Sequence, residues 1–437
     1  MKSLKVILCC IPWLAACTPE DSSPLVQSSA AIVFEGARLI TGNESAPIEN
    51  SVFVVEDGKF TYVGAAADLA PPAGAQRVDL SGKTVMPAIV DLHVHLGYQD
   101  VMGMTDTPAN FSRQNLVDHL ARLAYYGVSA GLSMGLDRGD VPYEVRAETP
   151  PGVARLLTAG AGIARPDAST GNPDRRDVAY GVDTEAAARA AVRELASRGV
   201  DIVKIWVDDR GGTVEKLTPE LYGAVIDEAR VQGLQVAAHI FNLEDAKGLL
   251  RANLHGFAHG VRDLTLDDEF MALLAEHPDV FLIPNLPERG PRTDADLQFA
   301  GETLPAAAIE VMRAQQSTFE IDPDELFETQ AANLVRMYEA GVKVGFGTDG
   351  DGAAWDVHEE LVDMVAAGMT PADVIVAATS TSAEIMGLDD LGAVAVGKSA
   401  DFIVLDENPL DDILNTRQIA SVYLRGTAVD RGALRAR

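Results

Sequence analysis

The sequence predicts an α/β fold: a (β/α)8 TIM barrel joined to a small, discontinuous β-sandwich domain formed by the N- and C-terminal segments. Three observations predict it. Short apolar strands alternate with helical stretches through the middle of the chain, and the strands number eight, the count that closes such a barrel. These strands are near-continuously apolar, as in a parallel sheet covered on both faces. Two β-rich segments of similar style stand at opposite ends of the chain, as expected of one sheet domain interrupted by another.

The N-terminal segment reads as strands over Ala31–Leu39, Ser51–Glu56 and Lys59–Gly64. Asp57-Gly58 between the last two is a hairpin turn. The central strands are Val85–Leu92, Val128–Ser133, Val153–Thr158, Val200–Val207, Leu234–Ile240, Leu254–Ala258, Val280–Ile283 and Val342–Phe346. Helices are expected over Arg113–Tyr126, Thr184–Arg198, Pro219–Gln232, Leu243–Ala252, Leu266–Glu276, Asp324–Ala340 and Val357–Ala367. Strands over Phe402–Asp406 and Ile419–Arg425, with a turn at Gly426, complete the small domain. Long loops follow the third strand (Ala161–Asp183) and the seventh (Asn285–Pro323). Loops of this length in a compact domain are usually functional or mobile. The expected division is 1–17 leader, 18–30 tether, 31–84 first part of the β domain, 85–392 barrel and 393–437 second part.

The 437 residues are 47% apolar and carry 35 Lys plus Arg against 65 Asp plus Glu, a formal charge of −30. So acidic a chain is a poor nucleic-acid ligand, because phosphate binding needs clustered cation. Composition leaves homo-oligomerisation open. All three cysteines (Cys9, Cys10 and Cys17) precede residue 18. A disulfide framework and a thiolate nucleophile are therefore excluded for the body of the chain. Lys2 and Lys5 precede a short apolar stretch, Val6–Trp13, and then Leu14-Ala15-Ala16-Cys17. That tetrad resembles a bacterial lipobox. The resemblance implies a signal peptide cut before Cys17, lipidation of its thiol, and a periplasm-facing protein on the outer membrane, tethered through a Pro- and Ser-rich segment.

Candidate chemistry gathers at the strand ends. The first strand runs into His93-Val94-His95, and residues two apart on a strand share a face, so the two imidazoles can grip one cation. Lys204 lies on the fourth strand, His239 ends the fifth, His259 follows the sixth and Asp349 follows the eighth. Each alone has a structural explanation, as a satisfied core histidine or a snorkelling lysine. Together they are polar groups that an apolar interior excludes unless paired, all at one end of one barrel.

These residues, with Thr84-Val85-Met86-Pro87, Gly347-Thr348-Asp349 and Gly397-Lys398-Ser399-Ala400-Asp401-Phe402, resemble the amidohydrolase superfamily over roughly residues 31–430. The match is closer to exported imidazolonepropionase-like and prolidase-like members, a group that includes Xaa-Pro- and Xaa-Arg-type dipeptidases and mycotoxin amidases. The resemblance implies two divalent ions, zinc, with His93, His95 and Asp349 on the more buried one and His239 and His259 on the second. It implies that Lys204 is N-carboxylated (N6-carboxylysine) and bridges both, since a lysine ammonium has no lone pair to offer a metal. It further implies that a metal-bridging hydroxide cleaves an amide or peptide-like C–N bond of a small molecule, an N-acyl amino acid or dipeptide, with Asp349 as the catalytic proton carrier.

The sequence departs from that pattern at Ala88, where Gly is usual, and at Phe241, where carboxylate-binding relatives often carry Tyr. Arg165, Arg175 and Arg176 on the first long loop, and Arg289 and Arg292 on the second, are candidates to hold an acidic substrate group instead. Nearby acids offer them plain salt bridges as well. His119, His255, His277 and His358 read as structural. Two other classes remain open: a mononuclear deaminase or cyclic-amide or amidine hydrolase, which would lack the bridging lysine, and a lipid-anchored binding protein on a retired scaffold.

Overall fold

The computed structural model describes Met1 and residues 31–65, 74–286, 293–315 and 323–435. The lipobox with Cys17, and the loop arginines Arg289 and Arg292, lie outside the described residues.

The eight central strands are all present and parallel. They are β1 (Ile89–Val94), β2 (Val128–Ser133), β3 (Arg155–Thr158), β4 (Val203–Val207), β5 (Val236–Ile240), β6 (Gly256–Phe257), β7 (Phe281–Leu282) and β8 (Lys343–Val344). They do not form the single closed ladder that the sequence predicts. β1 to β3 make one sheet; β4 to β8 make another, which Ile163–Ala164 and Tyr180–Gly181 extend beyond β4. The two sheets meet through isolated hydrogen bonds. Leu92 N–H donates to Phe346 O (2.8 Å) and His95 N–H to Gly350 O (2.8 Å) at one seam, and Asp201 N–H to Thr158 O (2.9 Å) at the other. Each seam falls where the backbone leaves extended geometry. Gly160 and Gly162 have φ of +65° and +71° after β3, and Asp349 has φ of +59° after β8.

The predicted helices form with small boundary shifts. Ser112, Thr184 and Asp267 accept backbone N–H groups at three helix starts, as their residue types favour. The segment Asn285–Pro323, read as a loop, instead contains helices Asp294–Ala300 and Ala306–Gln315. The first opens with a capping box between Thr293 and Asp296, a signal legible in Thr-x-x-Asp. Val141–Glu148 and Pro371–Val376 are further helices that the apolar periodicity did not reveal.

Val85–Leu92, read as one strand, is two. Thr84–Pro87 pairs with Phe402–Leu405, and the chain then changes sheets at Ala88, whose N–H donates to Asp401 O while Ile89 N–H donates to Gly127 O. The two chain ends do meet, as a four-stranded sheet (Ile32–Glu35, Ser51–Glu56, Lys59–Ala65, Gln76–Asp79) and a five-stranded sheet containing Thr84–Pro87, Phe402–Leu405 and Ile419–Leu424. One apolar cluster draws on both, with Phe34 stacked 5.0 Å from Phe53 and Phe402 stacked 4.6 Å from Tyr423. Asp57 and Gly58 take φ of +48° and +75°, the paired positive values of a type I′ hairpin.

The C-terminal segment is locked to the helices after β7 and β8 by Arg417. Its guanidinium pairs with Asp296 at 2.8 Å and with Glu359, all three side chains being under one-tenth exposed. Removing one partner strands buried charge. Arg417→Met should therefore cost about 3–5 kcal/mol of stability, seen as a lowered unfolding midpoint; an unchanged midpoint would show that the network contributes nothing net.

Candidate active site and metal centre

β1 delivers His93 and, one residue past its end, His95. The Nε2 atoms of His93 and His95 lie 3.2 and 3.0 Å from the same oxygen, Asp349 Oδ1. Ligand atoms of these three residues all fall within 4.8 Å of one another. Asp349 reaches this point from a left-handed backbone conformation, a strained geometry for a non-glycine residue of the kind that collects at functional sites. Gly347 just before it is required: a Cβ there would sit 2.8 Å from His93 Cβ and 2.9 Å from His93 N.

Lys204, fully buried on β4, puts Nζ 3.3 Å from His93 Nε2. His239 and His259 complete the ring, with imidazole centroids 4.4 Å apart and His259 4.9 Å from His93. All six predicted ligand residues thus converge. His255 does not compete, because its Nδ1 accepts the Val236 N–H. His358 is structural, bonded to Thr416 Oγ1 and Tyr126 O at 3.0 Å each.

The electrostatics suit a cation. Burial, then Lys204, holds His93 well below its ordinary value; burial likewise lowers His259 well below the ordinary value and brings His239 to about 4. These imidazoles are neutral and carry a lone pair. Burial works to raise the Asp349 carboxyl, but His93 and His95 beside it hold it well below the carboxylate range. Burial lowers Lys204 to about 7.

Partners one layer out decide which nitrogen faces inward. His93 Nδ1 donates toward Ala258 O (3.0 Å) and Asn285 Oδ1 (3.1 Å), leaving Nε2 for the site. His239 Nε2 is held by Asp208 Oδ2 at 3.1 Å, leaving Nδ1. Asp91 accepts the His93 N–H and the Thr348 hydroxyl, and so ties the end of β1 to the turn after β8. Sequence reasoning assigned no role to Asp208, Asn285 or Asp91. Asp208, four residues after Lys204 at the end of β4, carried a legible signal.

A divalent cation fits His93, His95 and Asp349 as they stand. The His239–His259 side needs one adjustment. Arg262 Nη2 lies 2.9 Å from His259 Nδ1, and a guanidinium can only donate. His259 Nε2 then carries the proton, 3.9 Å from Asp349 Oδ2. Ligation through Nε2 requires Arg262 to release Nδ1.

Over this cluster lies a cavity of about 280 Å³. Of the predicted substrate residues that are described, Arg175 alone lines it, and its guanidinium is already paired with Asp106 and, at 2.9 Å, Asp351. Arg175 also covers the Tyr98 ring at 4.4 Å. It clamps the loops after β1, β3 and β8 together. Arg165 pairs with Glu215 and lines a separate surface groove, while Arg176 donates to Thr170 O at 2.9 Å. Phe241 is not among the lining residues; its carbonyl accepts the Arg262 N–H. The cavity instead presents Arg210 and Arg262, which the loop-based reading passed over because they sit beside strand ends.

Parallel strands whose ends gather imidazoles, a carboxylate and a buried lysine define a metal-binding α/β protein of the hydrolase type. The chain belongs to the amidohydrolase family, whose model matches residues 84–429. It is 28% identical to an uncharacterized protein of Mycobacterium tuberculosis over 78% of this chain and 83% of that one. It is 26% identical to the imidazolonepropionase of Deinococcus radiodurans over 87% of this chain and 92% of that one. A solved structure from Bifidobacterium longum, assigned as a prolidase, superposes with a TM-score of 0.72 at 26% identity, covering 93% and 98% of the two chains.

Asp208→Ala should weaken metal binding about 10- to 100-fold by freeing the His239 ring. Competition with a chromogenic chelator measures this; an unchanged affinity would mean that His239 needs no anchor.

Proposed function

We propose that the chain is a hydrolase that cleaves an amide or peptide-like C–N bond in a small molecule, using two divalent ions, zinc. The observation that carries this reading is the convergence of His93, His95 and Asp349 on one point beside the buried Lys204. His93, His95 and Asp349 would hold one ion, His239 and His259 the other, and Lys204, carboxylated on Nζ, would bridge them. Carboxylation needs a neutral amine, and burial brings Lys204 to about 7, where the neutral form is abundant near neutral pH. Bound ions would supply Lewis acidity for the substrate carbonyl and a nucleophilic water of lowered pKa.

The protein's own groups do the rest. Asp349, held ionised by its two histidines, is the base that takes the proton of the attacking water and returns it to the departing nitrogen. An amide depends on that return, because an unprotonated amine nitrogen is a very poor leaving group. Asp208 and Asn285 keep the rings aimed while this happens. Trp206, 3% exposed, packs its ring 5.6 Å from Lys204 Nζ.

A mononuclear deaminase or cyclic-amidine hydrolase would have no use for a buried lysine against His93 Nε2, and a retired binding protein no use for six converged ligand groups. Metal analysis of the purified chain separates the three at two, one or no ions. Lys204→Ala should drop the count to one or fewer and abolish amide hydrolysis, with partial rescue by a short carboxylic acid in the buffer. Two ions and full activity in that variant would reduce Lys204 to a packing residue.

We also propose that the chain is exported and anchored through lipidated Cys17. Among the described residues no helix is long and apolar enough to cross a membrane, and two acyl chains suffice for stable anchoring. Cys17→Ser should move the protein to the soluble fraction with its hydrolysis intact; wild-type protein recovered soluble and uncut at this position would reject the anchor.

A further inference from the structure

Glu360, on the helix Val357–Ala367, is fully buried. Its Oε1 has no hydrogen-bond partner among the described residues. Burial, and then Asp363, pushes its carboxyl well above the ordinary range. Glu359 beside it is, by contrast, paired with Arg417. An apolar side chain of the same length would fill the position without this cost. What the carboxyl supplies is an acceptor. Leu286 N–H donates to Glu360 Oε2 at 2.6 Å, and the Asn285 N–H bears on the same carboxyl.

Those two donors need it because of where the chain leaves the sheet. After β7, Ile283 N–H still bonds to Phe257 O at 2.9 Å. Pro284 has no N–H to offer. Asn285 and Leu286 are 1% and 2% exposed, so their backbone groups are past the ladder but still inside the protein. Buried backbone donors in that position require a partner from elsewhere. Asn285 also has φ of +51°, a left-handed conformation that asparagine tolerates and that its surroundings must hold. In this conformation its amide spans two parts of the site. Oδ1 lies 3.1 Å from His93 Nδ1, and Nδ2 donates to Gly347 O at 2.8 Å, two residues before Asp349. Ala258 O shares the His93 Nδ1 proton from the β6 side; Asn285 adds the link to the turn after β8.

We propose that Glu360 is a positioning residue: by fixing the backbone at Asn285 and Leu286 it holds the Asn285 amide against His93 and Gly347, and so keeps His93 Nε2 aimed at Asp349 with the proton on Nδ1. The role needs an acceptor at this place and not a negative charge. The inference rests on the metal-centre reading for what the ring is aimed at, but not for the aim itself.

The test follows the His93 ring directly. The full chain, labelled with heavy nitrogen in its histidine rings, is compared by NMR as wild type, Glu360→Met, Glu360→Gln and Glu360→Asp, both metal-free and zinc-loaded, with His93→Asn identifying the signal. The wild-type ring should carry a slowly exchanging proton on Nδ1; a ring protonated on Nε2 instead sinks the idea. Glu360→Met keeps the bulk and loses the acceptor. It should speed exchange of that proton about tenfold and weaken zinc binding about 10- to 100-fold in competition with a chelator. Glu360→Gln keeps an acceptor and should restore both. Glu360→Asp withdraws the acceptor by one methylene and should follow Glu360→Met; it decides the matter if the Met variant does not fold. Asn285→Ala should lose zinc affinity to a similar degree, and adding Glu360→Met to it should cost no more, since one residue acts through the other. A lowered unfolding midpoint with ring proton and zinc affinity unchanged would make Glu360 a packing residue only and overturn the proposal. So would a Gln variant that behaves like the Met variant, or additive losses in the double variant. A wild-type chain that binds no divalent ion would overturn the metal reading alone, because the ring proton of the metal-free chain still decides the role of Glu360.

Discussion

The carboxylate of Asp349, poised between the Nε2 atoms of His93 and His95, is the constraint on which the site depends. The three groups sit at the ends of the first and last parallel strands, over 250 residues apart in the chain, so the fold must bring those ends side by side. It does so with little regular pairing. Asp349 N–H donates to His93 O at 2.7 Å, Thr348 hydroxyl donates to Asp91, and Gly347 lets the turn press against His93. A left-handed residue at Asp349 interrupts the ladder at this seam. That interruption also aims the carboxylate inward, so the gap between the sheets and the geometry of the site have one cause.

Around this pair the protein manages a heavy burial penalty. His93, Lys204 and His259 are each 1% exposed or less, and polar groups so placed are tolerated only with partners. Asn285, Ala258 O and Asp208 supply partners on the outer side of the rings and leave the inner nitrogens facing one another. His259 is the exception, held by a guanidinium on the nitrogen that a metal-ligating imidazole should keep protonated. This sets Arg262, which lines the cavity, directly against the His239–His259 side of the cluster. The loops above are held by a different device, the Arg175 clamp on Asp106 and Asp351.

Much of this was legible along the chain. Apolar runs of strand length, caps such as Ser112 and Thr184, and the Asp57-Gly58 turn are local signals, and the corresponding elements form close to where they were expected. The convergence of six polar residues was legible for another reason: imidazole, lysine and carboxylate at successive strand ends have no comfortable place in an apolar interior unless they are used together. The misses have physical causes too. Val85–Leu92 reads as one apolar strand because both halves are buried, and only the partners at Pro87 and Ile89 reveal that it serves two sheets.

By itself, then, the sequence determined the type and order of the main elements and which polar groups the strand ends carry. Both are consequences of side-chain chemistry and short-range spacing. Only the tertiary structure decided which nitrogen of each histidine faces inward, and which arginine is a clamp, a surface ion pair or part of the cavity wall. Arg165, Arg175 and Arg176 are near neighbours in the chain, yet one lines a distant groove, one clamps three loops and one braces its own loop. A guanidinium reaches several ångströms from its backbone, and its role is set by whichever acceptor the packed fold brings within hydrogen-bond distance.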